Sequence, residues 1–521
     1  MDISYILRQS RGCAARFSPH NPAIAFEDGA YLTYGELADR AYAYANTLRD
    51  LGVGTGDRVG LLLYNRLEYW IAYFAITRLG AIAVRLNFRL TADELVYALT
   101  DSDPCVVIGE GDLLHRLDAQ RAALNVRHYL GFSTCAEGLP VALPDWAMDA
   151  ALLDTGSESE PNLPLPGPQT PAMLMYTSGT TGRPKGALWS HANTTWWAAM
   201  QVIDWGLTPA SVTMITGPMY HIGGLENYAL PTLAAGGRVV ILRSRKFEMR
   251  RTLDIASRQK ASDILLFPTM IYQMVADESL DELDLSAIRR VFSGGDAVLP
   301  SAIRRLRERW PFMDLAQVYG LTEGTPIVAC GGPGQALHQP EAVGRVFPFA
   351  EISIRDEEAR PVPDGEVGEV WTRSPANALG YWNKPEATAA TFVDGWCRTG
   401  DLAVVERGAL RIAGRKKDMI RSGGENIYPA EIEDLLLRHP DIDEAAVIGI
   451  ADPIYIEAVC AVVVPRTGAV LSQEDVISYC AHHLAGYKKP RRVVFVNELP
   501  RNPSHKIIKS DLRQRFAPTA Q

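Results

Sequence analysis

The sequence predicts an α/β protein: a large N-terminal domain of layered α/β subdomains with a β-rich subdomain, then a small α+β C-terminal domain. Strand-like and helix-like segments alternate through the first half, which indicates parallel α/β layers. Short strands dominate residues 350–415, and a second compact α/β pattern starts after the segment GRKKD at 414–418. Because 521 residues exceed what one hydrophobic core usually organises, we predict two domains, 1–416 and 417–521.

The alternation in the first half rests on apolar periodicity. Short apolar runs predict strands at residues 57–64, 81–87, 105–110, 236–243 and 263–270. Helical spacing of apolar residues predicts helices at 68–80, 91–101, 247–260 and 300–310. Thr91 and Glu94 form a capping box at the start of the second of these helices.

The second half predicts strands first and a mixed pattern later. The β-rich part has strands at 350–356, 365–374 and 409–415. The C-terminal pattern consists of a helix near 430–438, strands at 444–450, 458–465 and 491–496, and a helix from Ser472. The segment 154–171 is rich in Pro, Ser and acidic residues, so it is either an interdomain linker or a surface loop.

Composition limits the classes of function. The net charge of −9 argues against a general nucleic-acid binder, which needs basic surface to displace counterions. The seven cysteines are scattered and contain no C-x-x-C pair, which is typical of free thiols in a reducing compartment. The N-terminus lacks the pattern of a secretory signal, and the apolar runs are too short to span a bilayer. We therefore expect a cytoplasmic protein.

The segment TSGTTGRPKG, residues 177–186, is suited to binding phosphate. It does not match the Walker pattern, because Lys185 follows Gly182 by three positions and is itself followed by Gly186. Its two inner glycines still let the backbone turn N–H groups toward an anion, its hydroxyl side chains add donors, and Lys185 adds a mobile cation. We predict a phosphate-binding loop formed by Thr177, Ser178, Gly179, Thr180, Thr181 and Gly182.

Further motifs follow in a fixed order. They are MYHIGG (219–224), FSGGDAVLP (292–300), QVYGLTEG (317–324), WCRTGDLA (396–403), GRKKDMIRSGGENIYPAEIE (414–433) and LPRNPSHKIIK (499–509). With the phosphate loop, this set resembles the adenylate-forming superfamily of acyl-CoA synthetases, nonribosomal adenylation domains and firefly luciferase. The resemblance covers essentially the whole chain and is strongest to a stand-alone acyl-CoA ligase.

The resemblance implies a reaction in two halves. A carboxylate attacks the α-phosphate of ATP to give an acyl-adenylate and pyrophosphate, and a thiol, usually that of CoA, then displaces AMP. ATP, Mg²⁺ and CoA are therefore the expected cofactors and co-substrates. Because the first half brings an anion against a polyanion, it depends on cations and positioning.

The resemblance also implies roles for residues that bind the nucleotide. Glu323 resembles the carboxylate that holds Mg²⁺, a cation that prefers oxygen ligands. Asp401 matches an aspartate that accepts hydrogen bonds from the ribose hydroxyls, and Arg415 matches an arginine that holds the nucleotide from the hinge side. Thr322 resembles a phosphate-contacting threonine. The adenine-binding wall is expected at Gly295, Asp296, Ala297, Tyr319 and Gly320.

Residues around the acid are expected in MYHIGG. His221 resembles the residue beside the reacting carboxylate, although a lone histidine after Tyr220 is also typical of a structural role. Tyr220, Gly223 and Gly224 are expected to line the acyl pocket. The apolar segments around it favour a hydrophobic fatty, alicyclic or aryl acid.

The C-terminal domain carries the remaining implied roles. Lys417 occupies the hinge position, about which the family rotates its mobile C-terminal domain between the two half-reactions. Gly423 and Gly424 resemble the loop that approaches the pantetheine arm of CoA. Lys506 aligns with the adenylation lysine, although His505 replaces the glycine that usually precedes it.

Four hypotheses stay open at this stage. The leading one is an ATP-dependent carboxylic acid:CoA ligase with Lys506, His221, Lys185 and Glu323 as its catalytic residues. The His505 departure motivates an enzyme with weakened adenylation that uses a supplied acyl-adenylate. Acyl transfer to a separate carrier protein and a non-enzymatic nucleotide-binding regulator are less favoured. A homodimer is left open.

Overall fold

A computed structural model of the chain describes residues 1–11, 15–136, 138–177, 184–244, 247–295, 297–422, 425–452, 455–501 and 507–516. All structural statements below concern these residues.

The helices are spread along the whole chain. In order they are α1 (Tyr5–Arg8), α2 (Tyr34–Asp50), α3 (Leu67–Arg78), α4 (Ala92–Ser102), α5 (Gly111–Leu114), α6 (His191–Trp205), α7 (Ala229–Ala234), α8 (Met249–Arg258), α9 (Pro268–Ala276), α10 (Pro300–Arg309), α11 (Gln335–His338), α12 (Pro385–Thr391), α13 (Pro429–Leu436), α14 (Gln473–His483) and α15 (Lys509–Phe516).

The strands alternate with helices up to residue 319 and then dominate until the C-terminal domain. In order they are β1 (Pro22–Phe26), β2 (Tyr31–Thr33), β3 (Arg58–Leu62), β4 (Ile82–Arg85), β5 (Val106–Glu110), β6 (His128–Phe132), β7 (Met148–Asp149), β8 (Pro171–Thr177), β9 (Lys185–Ser190), β10 (Val212–Ile215), β11 (Arg238–Ile241), β12 (Asp263–Leu265), β13 (Arg290–Gly294), β14 (Asp314–Tyr319), β15 (Ala329–Cys330), β16 (Arg345–Val346), β17 (Glu351–Arg355), β18 (Gly368–Arg373), β19 (Gly380–Tyr381), β20 (Phe392–Val393), β21 (Trp396–Glu406), β22 (Ala409–Arg415), β23 (Ile420–Ser422), β24 (Glu425–Ile427), β25 (Ile442–Asp452), β26 (Ile456–Pro465) and β27 (Arg492–Phe495).

Two large, mainly parallel sheets organise the N-terminal part. A nine-stranded sheet has the order β16-β15-β14-β13-β12-β10-β11-β1-β2, and an eight-stranded sheet has the order β19-β9-β8-β4-β3-β5-β6-β7. The largest core lies between them, where apolar side chains of both sheets pack on α2, α3, α6 and α7. Helices α8, α9 and α10 cover the other face of the first sheet, and α4 covers that of the second. Both sheets are thus buried on both faces, as parallel sheets require.

Two smaller sheets follow in the chain. One is an antiparallel sheet in which β17, β18, β21 and β20 pair in order and β22 pairs with β21. The other contains strands β23–β27 and is built around the long antiparallel pair β25–β26. Helices α13 and α14 pack on one face of this last sheet, and α15 packs on the other. The structure therefore confirms the predicted fold class, a large layered α/β domain with a β-rich part and a smaller α+β domain.

Local predictions can be compared with the structure at three places. The capping box of Thr91 and Glu94 is confirmed at the start of α4. The predicted strand at 263–270 is wrong over its second half, because Pro268 starts α9, where its fixed φ and missing N–H suit the first helical turn. The linker interpretation of 154–171 is also wrong, because this segment joins β7 to β8 within one sheet and packs on α2, where the Asn46 side chain donates to the Ser157 carbonyl at 2.7 Å.

Two further findings concern the described part of the chain only. None of its cysteines forms a disulfide, and burial raises the pKa of Cys330 to about 12. No helix within it is long and apolar enough to cross a membrane.

Candidate active site

The predicted site residues follow the carboxyl ends of strands in both large sheets. Thr177 ends β8, MYHIGG follows β10, Gly295 follows β13, and Tyr319 ends β14. Strands β10, β12, β13 and β14 run parallel, so their carboxyl ends share one edge of the sheet. Ligands of open α/β sheets bind at this edge.

A cluster of polar side chains forms where the two sheets meet. Glu323 Oε1 accepts hydrogen bonds from Thr177 Oγ1 at 2.8 Å and from the Tyr381 hydroxyl at 3.1 Å. The Lys185 ammonium lies 5.1 Å from the centre of the Tyr381 ring, within the range of a cation–π contact. The antiparallel pairing of β8 with β9 places Thr177 opposite Lys185, and β19 adds Tyr381 at the edge. One carboxylate and one cation therefore flank the end of the predicted phosphate loop.

Tyr381 is a member of this cluster that sequence reasoning missed. Burial raises the pKa of Tyr381, and the charge of the neighbouring Glu323 raises it further, so the hydroxyl stays protonated and acts as a donor. The strand β19 has only two residues, too few for an alternation of apolar residues that a sequence pattern could reveal.

A second cluster brings Tyr319, Asp401 and Arg415 together. Asp401 Oδ2 accepts a hydrogen bond from the Tyr319 hydroxyl at 2.9 Å, and Arg415 Nε lies 3.1 Å from Asp401 Oδ1. Asp401 and Arg415 are direct partners across β21 and β22. Burial raises the pKa of Tyr319, and the Asp401 carboxylate adds to this shift, so Tyr319 also stays a donor.

An open pocket lies next to this second cluster. Its volume is about 280 Å³, and it is lined by Thr399, Gly400, Arg415, Lys416 and Lys417. Three of these five residues are basic, so the pocket suits an anionic or polarised ligand.

The predicted adenine wall has a tight backbone. Gly295 has a φ of +90°, which a side chain rarely adopts. At Gly320 an added Cβ would lie 2.3 Å from the Pro326 carbonyl oxygen, so the chain needs glycine there. The carbonyl of Ala297 accepts from the Tyr272 hydroxyl at 3.4 Å, and that of Thr322 accepts from Trp189 Nε1 at 3.0 Å.

The loop with His221 has a defined local shape. His221 is exposed, and its Nδ1 accepts a hydrogen bond from the Gly223 N–H at 3.1 Å. Tyr220 is buried against Phe88, with ring centres 5.1 Å apart. A Cβ at Gly224 would lie 2.1 Å from the Pro218 carbonyl oxygen. The backbone approach at Pro218 therefore excludes a side chain at position 224.

Residues of the other sheet support this loop, and sequence reasoning missed them. Asn65 Oδ1 accepts from the Met219 N–H at 2.8 Å, and Asn65 Nδ2 donates to the Gly217 carbonyl at 3.0 Å. Arg85, at the end of β4, donates to the carbonyls of Met219 and His221 and contacts the Glu226 carboxylate. An arginine inside the apolar run AIAVRLN was the one available signal.

The segment at the predicted hinge is anchored on both sides. Lys416, Lys417 and Asp418 form a single 3-10 turn. Lys416 Nζ lies 3.1 Å from Glu369 of β18, and Asp418 lies 2.8 Å from Arg513 of α15. Burial lowers the pKa of Lys417, which lies between the two anchors.

Several predicted residues lie outside the described part of the chain. They are Ser178, Gly179, Thr180, Thr181, Gly182, Asp296, Gly423, Gly424 and Lys506. On either side of Lys506, Arg501 and Ile507 pair with each other in an isolated antiparallel bridge.

The described residues fit a Mg²⁺ ion that is held mostly by a substrate. They contain no group of three or more His, Cys, Asp or Glu side chains that could form a complete metal cage. Glu323 supplies one carboxylate at the end of the phosphate loop. Mg²⁺ keeps several waters and commonly binds through one or two carboxylates plus phosphate oxygens, so a single carboxylate suits it.

Comparisons with known proteins match the chain over almost its whole length. Indoleacetate–CoA ligase of Aromatoleum aromaticum is 38% identical over 96% of both chains. A feruloyl-CoA synthase of an Amycolatopsis species is 36% identical over 96% of this chain and 97% of its own. The crystal structure of ATP-bound MatB from Rhodopseudomonas palustris has a TM-score of 0.89 at 31% identity and covers 99% of both chains.

Two models of one enzyme family also match this chain. The model described as AMP-binding enzyme matches residues 13–382, and the AMP-binding enzyme C-terminal domain matches residues 431–506. The resemblance read from the ordered motifs is thereby confirmed, and the chain belongs to the AMP-binding enzyme family.

Proposed function

We propose that this chain is an AMP-forming ligase that joins a hydrophobic monocarboxylic acid to CoA in an ATP-dependent reaction. The observation that carries the proposal is the cluster of Thr177, Lys185 and Glu323 at the end of the phosphate loop. It combines a carboxylate for a metal with a cation for phosphate, as nucleotide activation requires.

In the first half-reaction, an oxygen of the substrate carboxylate attacks the α-phosphorus of ATP. The bond to the bridging oxygen breaks, and pyrophosphate leaves. Among the described residues, the hydrogen bonds to the Glu323 carboxylate end on Oε1, and on our proposal Oε2 is the oxygen that accepts a cation. Mg²⁺ bound there would neutralise charge on the departing phosphates. Thr177, Lys185 and the phosphate loop orient those phosphates, and we assign contact with the α-phosphate and the acid to Lys506.

The nucleoside is held by the second cluster. Asp401 is the acceptor for the ribose hydroxyls, Tyr319 and Arg415 fix its carboxylate, and the pocket beside Gly400 receives the ligand. A charge-assisted hydrogen bond of this kind is stronger than a neutral one, so the ribose is positioned firmly.

In the second half-reaction, the CoA sulfur attacks the acyl carbon of the adenylate. The bond from that carbon to the AMP oxygen breaks, AMP leaves, and the thiol proton passes to solvent. We assign the approach of CoA to Gly423 and Gly424 and the hinge to Lys417, with the domain boundary between residues 416 and 417.

The acid is proposed to lie along the loop 219–224. Tyr220 and Phe88 give this region an aromatic wall, and His221 lies at its exposed side. Arg85, which contacts the carbonyls of this loop, is already paired with Glu226, so it is not available to bind a second carboxylate of the substrate. This supports an acid with a single carboxylate. Aryl acids are the first to test, because the relatives named above are ligases for indoleacetate and ferulate.

The test is turnover with ATP, Mg²⁺ and CoA across a panel of indole-3-acetate, ferulate, benzoate, hexanoate and palmitate. We expect stoichiometric AMP and thioester from at least one acid. No AMP from any acid would contradict the proposal. Thioester from a supplied acyl-adenylate without AMP from free acid would favour the weakened-adenylation alternative. Preference for a holo-carrier protein over CoA would favour the carrier alternative.

Two further expectations belong to this proposal. The scattered cysteines, which form no disulfide within the described residues, support a cytoplasmic enzyme. The partners are ATP, CoA and the acid. Sedimentation velocity would decide whether the protein is a monomer or a homodimer.

A further inference from the structure

Arg85 is a charged residue in a fully buried, otherwise apolar strand. Strand β4 has the sequence IAVR, and all four of its residues are buried. The side chains of Arg85 and Glu226 are both 0% exposed. Sulfur atoms are among the neighbours of the guanidinium, with Met175 Sδ at 3.4 Å from Nη1. Arg85 and Glu226 thus form an ion pair in an apolar environment.

Stability alone does not explain such a pair. Removing two charges from water costs free energy that their attraction often fails to recover, and apolar residues of similar volume are commonly neutral or stabilising replacements. Burial lowers the pKa of Arg85, but the Glu226 carboxylate together with Tyr69 and Tyr73 raises it above its ordinary value, so Arg85 stays charged. The directional contacts of the guanidinium are therefore the feature to explain.

The backbone carbonyls and the carboxylate that the guanidinium contacts all belong to one short segment. Arg85 Nη2 donates to the carbonyl of Met219 and, at 3.0 Å, to that of His221, which flank Tyr220. Arg85 Nη1 contacts the carboxylate of Glu226, five positions further along the same segment. One guanidinium therefore ties the two ends of the segment 219–226, which carries the predicted acid-binding residues. The Asn65 side chain, which follows β3, also holds Met219 at the start of this segment and Gly217 just before it.

We propose that Arg85, paired with Glu226, is a positioning residue that fixes the segment 219–226 and thereby sets the affinity for the carboxylic acid. The part about affinity rests on the proposed ligase function, whereas the part about positioning does not. Arg85 itself touches no substrate, since its side chain is fully buried, and it acts through the backbone on both sides of Tyr220.

The chain contains a matched control for this arginine. Arg78 of α3 is also nearly buried, with 3% of its side chain exposed, and pairs with Glu160 at 2.9 Å. It donates to the carbonyls of Pro161 and Leu163. Arg78 therefore makes the same kind of contacts as Arg85, but to the loop before β8, at the end of that strand opposite to Thr177.

The experiment compares the double variants Arg85→Met/Glu226→Leu and Arg78→Met/Glu160→Leu with wild type. For the panel acid with the highest wild-type kcat/KM, we expect the first variant to raise the KM for the acid by about tenfold or more and to leave the KM for ATP within about twofold. The control variant is expected to change neither constant by more than about twofold. Equal losses for acid and ATP in the first variant would overturn the proposal, as would an unchanged KM for the acid.

A second readout does not depend on turnover. Hydrogen–deuterium exchange in the ligand-free protein is expected to accelerate in peptides covering 217–226 for the Arg85 variant, and in peptides covering 158–165 for the control. If wild type turns over no acid, the proposed function fails, while this measurement still decides whether Arg85 positions the segment. Unchanged exchange at 217–226 would overturn the positioning role.

If the double variant Arg85→Met/Glu226→Leu does not fold, the single variant Arg85→Lys tests the same proposal. Lysine keeps the charge opposite Glu226 but lacks the planar fork that reaches two carbonyls. We expect a folded protein with faster exchange at 217–226 and a raised KM for the acid. Wild-type behaviour of Arg85→Lys in both measurements would show that charge alone is needed, and the proposal would be wrong.

Discussion

Two arginine–carboxylate pairs serve the two halves of the candidate site under very different conditions. Arg85 and Glu226, behind the segment 219–226, are both 0% exposed, whereas Arg415, beside the pocket that we assign to the nucleotide, is 44% exposed and pairs with an Asp401 that is 10% exposed. Opposite charges attract more strongly where water is absent, but each charge also loses its hydration there. The buried pair can therefore not exchange partners, while the half-exposed one can turn toward a ligand at little cost. On our proposal, the part of the site that binds the acid is therefore the more rigid one, and the part that binds the nucleotide is the more adaptable one.

The largest expected effect comes from breaking the buried pair. Glu226→Gln leaves the Arg85 charge without a counter-ion, and we expect the free energy of unfolding to fall by about 3–5 kcal/mol. Arg415→Gln breaks the half-exposed pair and is expected to cost about 1 kcal/mol or less. Urea denaturation measures both. Similar losses for the two variants would remove the contrast between the pairs.

The nucleotide side is tested by Asp401→Asn. The substitution removes the charge that accepts from Tyr319 and, on our proposal, from the ribose, and hydrogen bonds to charged groups contribute about 1.5–3 kcal/mol. We expect kcat/KM for ATP to fall by about 10- to 100-fold, with the KM for the acid nearly unchanged. Asp394→Asn, at an exposed turn, is the matched control. A larger effect on the acid than on ATP would contradict the division of the site into two halves.

A third test concerns the pH dependence of stability that the buried His191 produces. Burial lowers the pKa of His191 to about 4, and its Nδ1 accepts from the Ile3 N–H. Because the folded state binds the proton less readily than the unfolded state, stability is fully present above the unfolded pKa of about 6.5 and is lost as the pH falls toward 4. We expect a loss of about 2 kcal/mol between about pH 7 and pH 5. His191→Asn should remove this part of the pH dependence in urea titrations, and an unchanged slope would contradict the assignment.

The smallest effect is expected from Tyr381→Phe. The ring that faces Lys185 stays, but the hydrogen bond to Glu323 is lost, which typically changes free energy by about 0.5–1.5 kcal/mol. We expect AMP formation to need about 2- to 10-fold more Mg²⁺ for half-maximal rate, with the KM for the acid unaffected. Tyr31→Phe, at an exposed strand position, is the control. An unchanged Mg²⁺ requirement would mean that Tyr381 does not hold the carboxylate for the metal.

The sequence could predict the proximity of residues that lie in the motifs carrying the resemblance. Thr177 and Glu323, and likewise Tyr319, Asp401 and Arg415, come from separate motifs that the resemblance grouped, and the structure brings each set within hydrogen-bond distance. The layered α/β fold followed from strand and helix periodicity, because parallel strands buried on both faces give continuous apolar runs.

The supporting residues could not be predicted in the same way. Arg85 reaches His221 across 136 positions of the chain, and Asn65 reaches Met219 across 154. Such contacts depend on how two sheets are stacked, which no local pattern encodes. Pro268 shows the same limit on a smaller scale, since the apolar run 263–270 looks uniform although proline ends the strand and starts a helix.

The tie between Arg85 and the segment 219–226 has a consequence for exchanging parts between related enzymes. The segment carries Glu226, one partner of the ion pair that holds it. The other partner, Arg85, lies on β4 of a different sheet. If the segment alone were transferred to a related enzyme with an apolar residue at position 85, its carboxylate would be buried without a counter-ion. If a segment without Glu226 were transferred into this chain, Arg85 would be buried without a counter-ion. The smallest interchangeable unit for acid selectivity is therefore the segment together with one residue of the neighbouring sheet.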